Sequence, residues 1–206
     1  MTIPAVQVNK LEGQLGISSS GSQKLLVVAG PTSKGPLSTP IALTRATDVV
    51  STFGYGPAVQ DACHAIEFYG QPVIIVRTPT TSGTAGTAGT PTLTGWTGTS
   101  VVSITGTPID SFEAVLLIVT GGTIGTAGIT FRISLDNGRT FGPTLALGAA
   151  NTYTVLNPDA SSTGITFNFA AGTAVAGDVA SVITTAPVPG ASDLTDSFTA
   201  LKATNL

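Results

Sequence analysis

Two runs of aliphatic residues with no polar interruption, 25–29 (Leu-Leu-Val-Val-Ala) and 73–76 (Val-Ile-Ile-Val), constrain the first third of this 206-residue chain more than anything else in it. A strand with one wet face alternates polar and apolar residues, so a run that does not alternate reads as a strand covered on both faces. Between the two runs, Pro40-Ile-Ala-Leu-Thr44 reads as a short strand. Thr44 or Thr47 can cap a short helix that ends at Phe53-Gly54, where Gly54 suits a left-handed stop. Pro57 suits the first turn of a second helix, whose apolar stripe is Val59, Ala62, Cys63, Ile66 and Phe68 or Tyr69, closed by Gly70. The order is β, loop, short β, helix, helix, β, a right-handed crossover unit with helical cover. Two or three strands are too few to close such a core, so the aliphatic ribbons are expected to need partners from outside the chain.

The remaining segments differ in character. Residues 1–22 read as an extended arm, with Ile3, Val6 and Val8 apolar among polar neighbours and Pro4, Gly13, Gly16 and a Ser/Gly run as punctuation. Two readings stay open: an edge strand added to a neighbouring subunit, with Ile3, Val6 and Val8 at the interface, or a frayed terminus. Residues 80–99 are Thr/Gly/Ala/Ser low complexity and read as a linker, with Trp96 its one large anchor onto the next domain. Residues 100–186 carry short strand candidates at 101–105, 114–120, 129–134, 152–156, 165–169 and 179–184. They are separated by Gly121-Gly122, Asn137-Gly138, Asn157-Pro158 and Gly177-Asp178, the pattern of an inserted antiparallel sandwich or barrel. From 187 a Pro/Gly hinge leads to a helix capped by Asp193 or Thr195, with Leu194, Phe198 and Leu201 on one face. The fold class expected is α+β: a partial α/β layer domain (β-α-α-β, residues 23–79 with 187–206) carrying an inserted all-β domain.

Composition removes several function classes. Charged residues are 9% of the chain, against about 25% in ordinary soluble domains, which leaves a surface poor in mutual repulsion and suits one covered by other subunits. A net charge of −3 with scattered basic residues offers nothing to neutralise phosphates, so no nucleic-acid partner is expected. The longest aliphatic runs fall far short of the roughly 20 residues of a membrane helix, and no membrane insertion is expected. The start lacks a basic region followed by an apolar one, and Cys63 has no second cysteine to pair with. Both fit assembly in a cytoplasm.

Motifs that could carry chemistry read as structural. Ser134-Leu-Asp-Asn-Gly-Arg-Thr-Phe141 matches the Asp-box pattern found in sialidases and other β-proteins. In it Asp136 can accept amides of its own turn, Asn137-Gly138 supplies positive φ angles, and Phe141 packs beneath. The other carboxylates, tyrosine and arginine cluster of a sialidase site are absent, as is the ligand alternation of a calcium loop. Cys63 and His64 are adjacent on a helix, about 100° apart, and cannot face each other as nucleophile and base. Gly30-Pro-Thr-Ser-Lys-Gly-Pro36 lacks the Gly-Lys-Ser/Thr ending of a phosphate loop, and Pro31 and Pro36 remove two donors, so Gly30, Pro31, Gly35 and Pro36 read as a rigid turn. Arg77 either pairs with a carboxylate across an interface or serves locally.

The order of these parts, with the doubled Gly-Pro at Gly30-Pro31 and Gly35-Pro36, the Pro40-Ile-Ala-Leu-Thr44 strand, the Phe53-Gly54 helix end and the Val73-Ile-Ile-Val-Arg77 strand, resembles the front end of bacteriophage contractile tail sheath proteins. The Gly/Ala/Thr-rich insertion looks like those of phage tail proteins. The resemblance implies a virion structural protein that is not an enzyme and takes no cofactor or metal. It implies copies of itself as partners, in hexameric rings stacked round a tail tube protein, with baseplate and tail terminator proteins at the ends. It implies contraction that drives the tube through a host envelope. The family's tube-facing C-terminal domain has no counterpart in these residues, which implies a fragment or a shortened paralogue. A second reading is a β-rich adhesion or glycan-binding module using Asp136 and Trp96, and an enzyme comes third for want of a general base near any nucleophile.

Overall fold

The computed structural model describes residues 26–204. The expected arm residues Ile3, Val6 and Val8 lie outside them. The chain is a mixed α+β protein built as expected from an α/β layer and an inserted antiparallel sandwich.

The α/β layer opens with β1 (Leu26–Gly30) and β2 (Pro40–Leu43), continues through α1 (Ala46–Phe53) and α2 (Pro57–Tyr69), and returns on β3 (Val73–Arg77). The sheet order is β1-β3-β2, with β1 parallel to β3 and β2 antiparallel to it. Val28 and Ile41 both pair with Ile75, so one face of the sheet presents Val28, Ile41, Leu43, Val73 and Ile75 to Val49, Phe53, Val59, Ala62 and Ile66 of the helices. The opposite face of β1 and β3 is met by the returning helix α3 (Ala191–Ala203). Val73, Ile74, Ile75 and Val76 are therefore 0–1% exposed. The expectation that both ribbons need outside cover is corrected for β3, because α3 supplies the missing layer. At the edge of the sheet, Leu26 of β1 is 43% exposed.

Local details depart from expectation where tertiary contacts outweigh local signals. Neither Thr44 nor Thr47 caps α1. Arg45 takes that place in extended conformation, and its carbonyl accepts Asp48 N and Val49 N. Gly54 has φ 74 and ψ −118, positive but outside the left-handed helical well, because the chain there turns back to bond the 30–36 loop. Pro57 and Gly70 sit as expected, at the first turn and at the left-handed C-cap. The inner stripe of α2 uses Ala58 and Ala65 beside Val59, Ala62 and Ile66, whereas Phe68 and Tyr69 are exposed.

The insertion contains β4 (Thr87–Ala88), β5 (Thr92–Thr94), β6 (Val102–Thr105), β7 (Glu113–Thr120), β8 (Gly122–Thr123), β9 (Thr130–Ser134), β10 (Leu145–Ala146), β11 (Thr152–Leu156), β12 (Ser162–Phe169), β13 (Thr173–Ala174) and β14 (Val179–Thr185). One sheet runs β10-β9-β7-β14-β4, with β5 also on β14, and a second runs β11-β12-β6. Leu116, Ile118 and Phe131 of the first sheet and Ile165 and Phe167 of the second belong to the core between them, each 0–1% exposed. Phe131 meets Tyr153 edge-on, with ring centroids 4.8 Å apart, which ties the sheets together. The 80–99 stretch is not a free linker. Its β4 and β5 form the outer edge along β14, and the half-buried ring of Trp96 packs on the sandwich core. Gly121-Gly122 is likewise more than a turn, since Gly122 starts β8, which pairs with β13.

α3 differs most from its sequence pattern. Its N-cap is Gly190, and neither Asp193 nor Thr195 takes that position. Its most buried residues are polar, Asp193 and Ser197. Of the expected apolar stripe Leu194 and Leu201 are half-buried, while Phe198 is 48% exposed. Ser197 Oγ donates to Thr78 Oγ1 at the end of β3, and Asp193 accepts Thr81 Oγ1 where the chain leaves the layer, so both find partners that the apolar stripe would lack.

Candidate assembly surface

The 30–36 loop spends its donors internally. Ser33 N donates to Tyr55 O at 2.8 Å and Lys34 N to Phe53 O at 3.1 Å, while Tyr55 N donates back to Ser33 Oγ. Arg77, expected either at an interface or locally, turns its Nη1 onto Gly35 O at 2.6 Å. Gly35 has φ 95, and a Cβ there would press on Phe53 at 2.8 Å, so glycine is required twice over. A Cβ on Gly30 would lie 3.1 Å from that of Ala58, where β1 passes close to α2. Pro31 O lies against Gly56, and Pro36 is exposed at the loop's tip. With its amides turned inward, this loop is a brace between β1, β3 and the α1–α2 corner. It cannot cradle an anion.

The Asp-box turn is equally committed to itself. Asp136 accepts Thr140 N at 2.9 Å, Thr140 Oγ1 at 2.6 Å and Ser134 Oγ at 2.6 Å, and Ser134 Oγ accepts Gly138 N at 2.8 Å. Asn137 and Gly138 take φ 61 and φ 79, and the ring of Phe141 lies beside Gly138. The hydroxyls of Ser134 and Thr140, followed by the Thr140 amide, hold the Asp136 carboxyl down at about 2. Both carboxylate oxygens accept hydrogen bonds from within the turn, which is the work the motif does here.

A seam joins the α/β layer to the sandwich. Gln60 Nε2 on α2 donates to Asp110 Oδ2, and Ser111 N donates to Asp110 Oδ1 at 2.8 Å. Burial nevertheless pushes the Asp110 carboxyl up, with those hydrogen bonds only partly opposing it. Lys34 Nζ reaches Asp159 at 3.8 Å, and Tyr55 is pushed up by burial and then by the nearby Asp159 charge. A cleft of about 380 Å³ lies along the seam between Thr32, Arg77 and Pro108.

Two exposed aromatic side chains sit together at the C-terminal end of α2. Phe68 and Tyr69 are 72% and 64% exposed, and their rings meet edge-on at 4.9 Å. His64 stands one turn back with its ring 6.0 Å from that of Phe68. Beside them a groove of about 300 Å³ is lined by Leu26, Ala65, Tyr69, Gln71 and Val73, at the edge of β1 that no described strand pairs with. Cys63 points away from this patch, its thiol donating to Ala46 O at 3.6 Å and pushed up by burial, so Cys63 and His64 serve different surfaces.

Two carboxylates that organise the fold read from sequence only as turn or cap. Asp178, 1% exposed, accepts Thr97 N, Thr97 Oγ1, Gly98 N and Val175 N at 2.7–3.1 Å. Burial alone would raise its pKa, and the four donors outweigh that and lower it. Asp193 accepts Thr81 Oγ1 at 2.7 Å, Ser82 Oγ at 2.8 Å, and Ser82 N and Gly190 N at 3.0 Å. The Gly177-Asp178 pair marks the first of these in the sequence, but nothing local marks its partners.

These features define a mixed α+β protein in which an α/β layer carries an antiparallel sandwich and exposes an aromatic pair beside the β1 edge of its sheet. Residues 3–201 match the family model described as DUF2586, N-terminal domain, and the chain belongs to that family. No curated protein matches. Among solved structures, the sheath tail protein from Listeria innocua is similar at 12% identity and a TM-score of 0.40, over 88% of this chain and 39% of that one. The chain thus spans 39% of the length of that sheath protein.

Proposed function

We propose that this chain is a structural subunit of a contractile phage tail sheath, a virion protein assembled in the host cytoplasm, in which copies polymerise as stacked rings around a tail tube. In this reading it has no catalytic role, its partners are further copies and the tube protein, and the sandwich is displayed outward. The observation that carries the reading is the order of parts in residues 25–78, with its doubled Gly-Pro, its Phe53-Gly54 corner and its central aliphatic strand. Two features of the molecule support it. The chain is poor in charge, and the Phe68 and Tyr69 rings stand exposed beside the β1 edge of the sheet, where an apolar neighbour would remove them from water. The glycan-binding alternative is less favoured, because Asp136 accepts three hydrogen bonds within its own turn and Trp96 packs against the sandwich core.

Electron microscopy of the full-length gene product tests the reading. Rings or helical polymers, alone or with the tube protein, are expected. Dispersed monomers under both conditions overturn it.

A further inference from the structure

The chain passes between the α/β layer and the sandwich twice, outward after β3 and back before α3, and two strands of irregular backbone are the usual makings of a hinge. Here they are tied together. Thr84 N donates to Val188 O and Val188 N to Thr84 O, both at 2.9 Å, which makes an antiparallel bridge across the crossing. The approach is so close that a Cβ on Gly83 would collide with Val188 O, and one on Gly190 would lie 2.5 Å from Ser82 O. The carboxylate of Asp193, 2% exposed, then gathers Thr81 and Ser82 of the outward crossing and Gly190 of the return, at the N-terminus of α3 where the helix dipole favours a negative charge. One turn on, Ser197 Oγ anchors the same helix to Thr78. By contrast, Lys34 and Asp159 across the seam are an exposed pair, a kind that adds little.

We propose that residues 81–84 and 187–190 form a clamped neck, closed by Asp193 as its positioning residue, which fixes the orientation of the sandwich on the α/β layer so that the two move as one body. The inference concerns the single chain and does not depend on assembly.

Double electron–electron resonance on the full chain tests it, with spin labels at Glu67→Cys on α2 and Arg139→Cys on the Asp-box turn, both exposed, in a Cys63→Ser background. The parent is expected to give one narrow distance distribution. Asp193→Ala is expected to widen it about twofold or more while Trp96 fluorescence at room temperature keeps the parent's emission, a sign that the sandwich is still folded. Should Asp193→Ala not fold, Thr81→Val with Ser82→Ala removes side-chain donors from the same clamp and is expected to widen the distribution likewise. A distribution of unchanged width in a folded neck variant overturns the proposal. So does equal widening from Lys34→Ala or Gln60→Ala, which would place the orientation in the seam.

Discussion

Carboxylates with several donors decide much of this molecule's behaviour. Asp178→Ala would strand the amides of Thr97, Gly98 and Val175 around a site 1% exposed, at an expected cost of roughly 3 kcal/mol, readable as a lowered urea midpoint. Asp136 and Asp193 both titrate at about 2, below the ordinary value of 3.8. A depressed folded-state pKa contributes stability that is full above the unfolded value and lost as pH falls through the folded one. Asp136→Asn and Asp193→Asn should therefore melt below the parent at pH 7, with the gap closing as both approach pH ~2. Asp110 has the opposite sign. Its raised pKa gives stability that is full below the unfolded value and lost as pH rises through the folded one, so Asp110→Asn should raise Tm at neutral pH and bring no gain in acid. The Gln60 amide can turn to present its oxygen to the new donor. Of these groups, Asp136 was legible in the sequence because its partners lie within four residues. Asp178 and Asp193 were not, because Thr97 and Thr81 lie 81 and 112 residues away and no local pattern encodes that meeting.

Among the elements, the β-α-α-β order was readable because aliphatic runs, Pro57 and Gly70 act locally, whereas the burial of helix α3 was not, because it depends on what the helix meets. Periodicity places Leu194, Phe198 and Leu201 inward. Leu194 and Leu201 reach half-burial, but the end of β3 and the crossings present hydroxyls and amides, which bury Asp193 and Ser197 more deeply and leave Phe198 exposed. Ser197→Leu, overpacking a site 1% exposed, should cost about 1–3 kcal/mol, whereas Phe198→Ser at 48% exposure should cost less, a contrast that thermal melts of the two variants resolve. The β4 and β5 edges escaped the sequence for a related reason. Thr and Gly carry little strand signal by themselves, and their pairing is supplied by β14. At the α1–α2 corner the constraint is steric. Gly54 holds φ 74 and a Cβ would collide with Ser33 Oγ, so Gly54→Ala should cost about 1–3 kcal/mol and loosen the 30–36 brace, visible as faster amide exchange at Ser33 and Lys34.

For the whole molecule, stability and association rest on different surfaces. The central strand of the layer and the middle of the sandwich are covered by the chain's own residues, with 0–1% exposure along β3. The aromatic pair on α2 contributes little to those cores, since Phe68 and Tyr69 leave 72% and 64% of their surface in water. Replacing both, Phe68→Ser with Tyr69→Ser, should move the stability of the isolated chain by only about 0.5 kcal/mol. If the patch beside β1 is where copies meet, the same variant should lose polymers in electron microscopy of the full-length product. Ile183→Thr is the control. It removes an equally bare side chain, 69% exposed on the sandwich, and with that unit facing outward it should leave assembly intact. Loss of polymers with Ile183→Thr, or their survival in the Phe68/Tyr69 variant, would move the contact surface from the α/β layer to the sandwich.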